Sequence, residues 1–153
     1  MKILCSTSYN PTLNISSGTF GANEVVVIPR ASDWGKTGLS KYLFYLGESL
    51  KVMWQARHYD ALVLCTVGIE AFFAGKFGRF ICPDTLIVCA DFLMPRESRA
   101  VRTTSGWLKG VAAFLCIRTG DIPVLSRRFG ISIERCHFTY FPSDLSLSDL
   151  EIT

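Results

Sequence analysis

Few residues in this sequence combine the type and the setting that chemistry needs, and Asp91 is the first of them. It follows the apolar run TLIVCA (85–90) and precedes FLMP (92–95), so its carboxylate would project from the end of a buried strand. A carboxylate there can take a proton from a bound hydroxyl as a general base. A cap or turn accounts for it equally. Glu70 falls in the first turn of a predicted helix, where the macrodipole stabilises an acid without any catalysis. Thr66 and Gly68 stand at the end of YDALVLCT (59–66), and Arg118 and Thr119 at the end of AAFLCIR (112–118). Arg118 can bind an anion or reach solvent, and Thr119 suits the cap of a helix starting at Asp121. Arg96 opens a basic stretch that runs to Lys109.

Other constellations fail on spacing. WGKT (34–37) ends as a phosphate-binding loop would, but the position five before its Gly-Lys pair is Arg30, and RASDW (30–34) offers no glycine. The simpler expectation is a loop that ends at Gly35 and a helix that follows. His58 and His137 stand apart from any cysteine or carboxylate cluster, so no metal ligands are expected. Cys5, Cys65, Cys82, Cys89, Cys116 and Cys136 form no CxxC pair, and five of them fall in predicted strands, where they act as small core hydrophobes in a reducing compartment. There is no GxGxxG, GxSxG or DxD.

The elements that must position these residues follow from the hydrophobic pattern. The chain has 153 residues, 49% of them hydrophobic and 19% charged, which suits a single domain, 1–153, able to bury about 70% of the surface its unfolded form exposes. KILCST (2–7) and EVVVIP (24–29) read as strands covered on both faces, and 59–66, 85–90, 112–118 and 135–142 continue the series. Between the first two lies a loop over 10–23, rich in Gly, Ser, Asn and Pro. Leu39, Tyr42, Leu43, Leu46, Leu50, Met53 and Trp54 recur at helical spacing over 37–57 and are expected to face the core. Further helices are expected over 69–77, within 96–110, and over 121–129, the last closed by Gly130. Most of the remaining aromatics, including Phe44, Tyr45, Phe72, Phe73, Phe77 and Phe80, are core by spacing. A helix face too broad for one core could instead dock on a membrane or a partner.

Strands joined by helical crossovers imply a Rossmann-like three-layer α/β domain of about six mostly parallel strands with helices on both faces. Ligands of such sheets bind beyond the carboxyl ends of the strands. That rule nominates Ser6–Asn10, Thr66–Gly68 with Glu70, Asp91 with Phe92, Arg118 with Thr119, and Ser143 with Asp144. A net charge of +3 and the absence of any Lys/Arg run argue against nucleic acid. No apolar window is long enough to span a membrane, and the N-terminus lacks the run a signal peptide needs, so a cytoplasmic location is expected.

The stretch AAFLCIRTGDIPVLSRRFGISIERCHFTYFPSD (112–144) resembles the closing segment of the N-terminal domain of GT-B glycosyltransferases: a strand ending in a small polar residue, a helix running to an RFGI cap, an ER turn, and a strand ending in Pro before Asp. HYDALVLCTVGIEAFFAGKF (58–77) is similar to the segment of that domain that ends beside the acceptor. The resemblance covers about 58–144. It implies an acceptor-binding half of a transferase that takes a sugar from a nucleotide-sugar donor, with the donor bound mainly by a C-terminal domain or a separate subunit. No cofactor is then expected in this chain, and 143–153 would begin an interdomain linker or tail. Asp91 would activate the acceptor hydroxyl, although many members use a His there, while Thr66, Gly68, Glu70, Arg96, Arg118 and Thr119 would hold a sugar or lipid-linked acceptor. Peripheral contact with the inner face of a membrane and a homodimer are compatible with the basic segment and the aromatic helix faces. The alternative is a non-catalytic Rossmann-like interaction module.

Overall fold

The structure, a computed structural model, describes residues 1–7, 24–29, 31, 35–116 and 118–138, with the side chains of residues 7, 66, 67, 91 and 93 outside the description. The loop expected over 10–23, the end of the last strand and the tail over 143–153 lie outside the described residues.

Branched apolar runs form the strands. β1 (Lys2–Thr7), β2 (Glu24–Pro29), β3 (Ala61–Val67), β4 (Leu86–Leu93), β5 (Ala113–Cys116) and β6 (Cys136–Phe138) make one six-stranded sheet in the order β2-β1-β3-β4-β5-β6. Every pair is parallel. Parallel neighbours need crossovers, and helices α1 (Gly38–Ala56), α2 (Gly68–Ile81), α3 (Arg99–Thr104) and α4 (Asp121–Phe129) lie in them. A 3-10 helix, Ser105–Gly110, continues α3, and another, Ile133–Arg135, precedes β6. This is the Rossmann-like α/β fold that alternating strands and helices dictate.

Strand side chains alternate between two clusters, one on each face. Leu4, Leu62, Leu64, Ile87, Cys89, Phe114 and Cys116 join the first, which also holds Met53, Phe72, Leu108, Leu125 and Phe129 from the helical segments. Ile3, Cys5, Ala61, Val63, Cys65 and Ala90 form the second. Its members are strand side chains, and all six are buried. All six cysteines are free and buried, five of them in strands.

Local chemistry sets the helix ends. α4 stops at Gly130, whose φ of 64° is the left-handed cap, with its N–H donating to Ser126 O at 3.0 Å. Asp121 in its first turn and Arg127 and Arg128 in its last complement the dipole. Residues 35–37 form a loop-to-helix junction, with Trp34 outside the described residues: Gly35 has φ 74°, Thr37 is the N-cap and α1 begins at Gly38.

α1 buries only part of what its spacing implies: Met53 and Tyr45 turn into the core as expected, but most of the leucines do not. The buried positions are Tyr45, Ser49, Val52, Met53 and Ala56, while Leu39 is 74% exposed, Leu43 59%, Tyr42 53%, Trp54 60% and Leu50 37%. Two faces of this helix are apolar, and the one bearing small residues is chosen because Ser49 and Ala56 let it lie close on its neighbours. The Ser49 hydroxyl donates to Tyr45 O at 2.7 Å, so its burial leaves no orphan polar group. Phe80, also expected in the core, is 67% exposed at the end of α2.

Candidate functional site

The carboxyl ends of the two central strands carry an irregularity. Cys65 pairs with Ala90 and Val67 with Leu93, so two residues, Asp91 and Phe92, face one, Thr66. Such a bulge bends the strand and re-aims its side chains, and bulges concentrate beside functional sites. It coincides with two residues nominated from sequence. One expectation changes, however: β4 continues to Leu93, so Asp91 lies inside the strand rather than after it. The pairing with β3 beyond the bulge carries β4 onward.

α2 follows β3 without an intervening loop, since β3 ends at Val67 and α2 starts at Gly68. Its first turn and the chain after β4 enclose a cavity of about 620 Å3, lined by Ile69, Phe72, Phe73, Met94, Pro95, Val101 and Trp107 with Lys41, Tyr42, Arg96, Ser98, Ala100 and Thr104. That size suits a small ligand. The wall is largely apolar, two cations lie on it, and no described carboxylate lines it. Arg96 is exposed and has no ion-pair partner among the described residues.

Distant residues hold these walls. Arg128 Nη2 donates to Pro95 O at 2.9 Å, tying the chain after β4 to α4. Arg135 Nη2 donates to Leu108 O at 3.1 Å and Lys109 O at 3.2 Å, satisfying carbonyls at the end of the 3-10 helix that carries Trp107. Ser98 caps α3 by accepting from Val101 N at 3.2 Å. Gly75 and Gly110 allow backbone contact between α2 and the 3-10 helix: a Cβ on Gly75 would sit 2.2 Å from Trp107 O, and one on Gly110 would sit 2.0 Å from Gly75 O. Below the cavity, Phe92 meets Phe114 and Phe129 edge to face, with ring centroids 5.7 Å apart in each pair, and Phe72 meets Phe129 edge to face at 6.1 Å.

The remaining nominated residues are distributed along the rim. Glu70 is 3% exposed in the first turn of α2, does not line the cavity, and is not without an interaction partner. Gly68 is buried as the first residue of α2. Arg118 and Thr119 are exposed beyond β5, and Arg118 Nε lies 4.0 Å from Asp121 Oδ2. Thr119 is not the cap of α4: Gly120 is, and the Thr119 carbonyl accepts from Ile122 N instead. Of the candidates whose side chains are described, Arg96 alone lines the cavity. Ser6 is buried in β1, whereas Ser8 to Asn10, Ser143 and Asp144 lie outside the described residues.

Sequence reasoning missed the apolar wall. Phe72 is in the core as expected but also lines the cavity, with Phe73 and Trp107 beside it, and the available signal was position: each belongs to the first segment after a central strand or to the chain leading back from it. Among the described residues no group of three His, Cys, Asp or Glu side chains could hold a metal, and no described helix is long and apolar enough to cross a membrane. Burial and a contact with Cys65, Sγ to Sγ 3.5 Å, raise the Cys5 thiol far above its ordinary range, the contact contributing most. Burial also raises Cys82 and Cys136, so these thiols stay protonated.

No family model matches the sequence, and no curated protein matches it.

Proposed function

We propose that this chain is the acceptor-binding half of a GT-B-type glycosyltransferase, acting with a donor-binding domain or subunit. The observation that carries the reading is the largely apolar cavity at the carboxyl rim of a parallel sheet, beside α2 and the bulge at Thr66 and Asp91, with Arg96 at its edge. It supports the resemblance over 58–144 because parallel sheets present ligands at that rim. An acceptor would lie in the cavity with a hydroxyl toward Asp91. Asp91 takes the hydroxyl proton, the oxygen attacks the anomeric carbon of the donor sugar, and the nucleoside diphosphate leaves with the bonding electrons. The donor sits on the partner, so the chain binds no cofactor of its own. Arg96, Thr66, Gly68, Glu70, Arg118 and Thr119 are the rim residues from which acceptor contacts are drawn. A cytoplasmic site with peripheral membrane contact completes the reading, supported by the exposed apolar residues of α1.

The test is calorimetric titration of the chain with nucleotide sugars, then reconstitution of transfer with a donor-binding partner. Weak or absent binding of nucleotide sugar to the chain alone is expected, with transfer only in the mixture. Tight binding of a nucleotide sugar to the isolated chain would overturn the proposal.

A further inference from the structure

The apolar cavity has a neighbour. A recess of about 210 Å3, lined by Glu97, Val101, Arg102, Arg127, Arg128 and Phe129, shares Val101 with it. Three guanidiniums from two helices therefore meet beside an apolar cavity, against one carboxylate, Glu97. Arg102 and Arg127 are exposed and have no ion-pair partner among the described residues. Arg128 is partly engaged, donating to Pro95 O at 2.9 Å and lying 5.0 Å over the Phe129 ring. Its other N–H groups are not used by that bond. Converging guanidiniums repel one another unless an anion lies between them, and their planar forks match phosphate oxygens two at a time.

We propose that the two recesses form one site for an anionic amphiphile, with its hydrocarbon in the larger cavity against Phe72, Phe73, Met94 and Trp107 and a phosphate ester head on Arg102, Arg127 and Arg128. A phosphate head suits the smaller recess because a singly charged carboxylate would leave more of the positive charge uncompensated. The order of the walls matches such a molecule: apolar residues at the end nearer α2, cations at the end nearer α4. The inference rests on the acceptor reading for its place in catalysis, since the acceptor would be an amphiphile of this class that also carries the hydroxyl set toward Asp91. Binding itself requires neither donor nor transfer.

The experiment is calorimetry on the full chain with decyl phosphate below its micellar concentration, decanol and inorganic phosphate, and co-sedimentation with phosphatidylcholine vesicles with and without phosphatidic acid. Decyl phosphate should bind at least about tenfold more tightly than decanol or inorganic phosphate, because only it meets both recesses. In the double variant Arg102→Gln, Arg127→Gln, decyl phosphate should fall to the affinity of decanol while decanol is unchanged. Recruitment to phosphatidate vesicles would assign the head to a membrane lipid, and soluble binding without recruitment would assign it to a free amphiphile. Decyl phosphate no tighter than decanol, or undiminished in the double variant, overturns the site. Loss of transfer in the reconstituted enzyme with decyl phosphate binding intact would instead count against the transferase reading alone.

Discussion

At the scale of single residues, most of the site's chemistry is carried by side chains that fold formation alone does not require. Asp91 stands at a bulge, where its neighbours Ala90 and Phe92 are buried and would satisfy the core without it. In the reconstituted enzyme, Asp91→Ala should slow transfer by about 10² or more, the scale of a positioned general base. Near-normal turnover would remove it from the mechanism. The arginines of the stretch likened to transferases act differently. Arg128 and Arg135 donate to backbone carbonyls of Pro95, Leu108 and Lys109, so the RFGI cap and the ER turn hold the cavity walls. Arg135→Ala should lower stability by about 1–3 kcal/mol, the cost of charge-assisted bonds lost at partly buried carbonyls. Denaturant unfolding measures it.

Elements decide where those residues stand, and two contacts test them. α2 and the following 3-10 helix meet backbone to backbone at Gly75 and Gly110, which fixes how far Trp107 reaches toward the cavity. Gly75→Ala should cost about 1–3 kcal/mol by overpacking, because the atom it meets is a carbonyl and not a flexible chain end. Its near-UV circular dichroism should change as Trp107 shifts; an unchanged spectrum and midpoint would refute the contact. For α1, the inward face is the one carrying Tyr45, Ser49 and Met53. Met53→Ala should therefore lose about 2–5 kcal/mol. Leu43→Glu should stay within about 0.5 kcal/mol of the parent, since Leu43 is exposed. The reverse ranking would place the leucine stripe in the core after all.

The whole molecule is held by a parallel sheet with an apolar cluster on each face and free thiols within both. The raised thiols give stability a pH dependence of definite sign. Cys5, Cys82 and Cys136 lose protons in the unfolded chain near 9.0 and at higher pH in the folded one. Below that value both states hold these protons and the thiols add no slope. As pH rises past it the unfolded state binds fewer protons, and stability falls. Urea midpoints should be flat from neutrality to about pH 9 and decline above it, and Cys82→Ala should reduce the decline. A midpoint that rose with alkalinity would contradict the burial.

How much was legible beforehand follows from the range of each signal. Strands are local: β1 and β2 occupy the spans their branched runs predict, and α4 ends at Gly130 because a left-handed cap needs only its own residue. Fold class followed, since alternation of runs and helical patterns leaves few ways to bury both sheet faces. Three matters were settled only in three dimensions. α1 had two apolar faces, and packing against α2 and β3 chose between them. Asp91 was drawn into β4 by pairing with a strand distant in sequence. The cavity and its arginine-lined neighbour are made from α1, α2, α3, α4 and the chain after β4, which no local pattern relates. Periodicity reports what one segment can bury, whereas a binding site is what several segments leave unfilled when they bury it together.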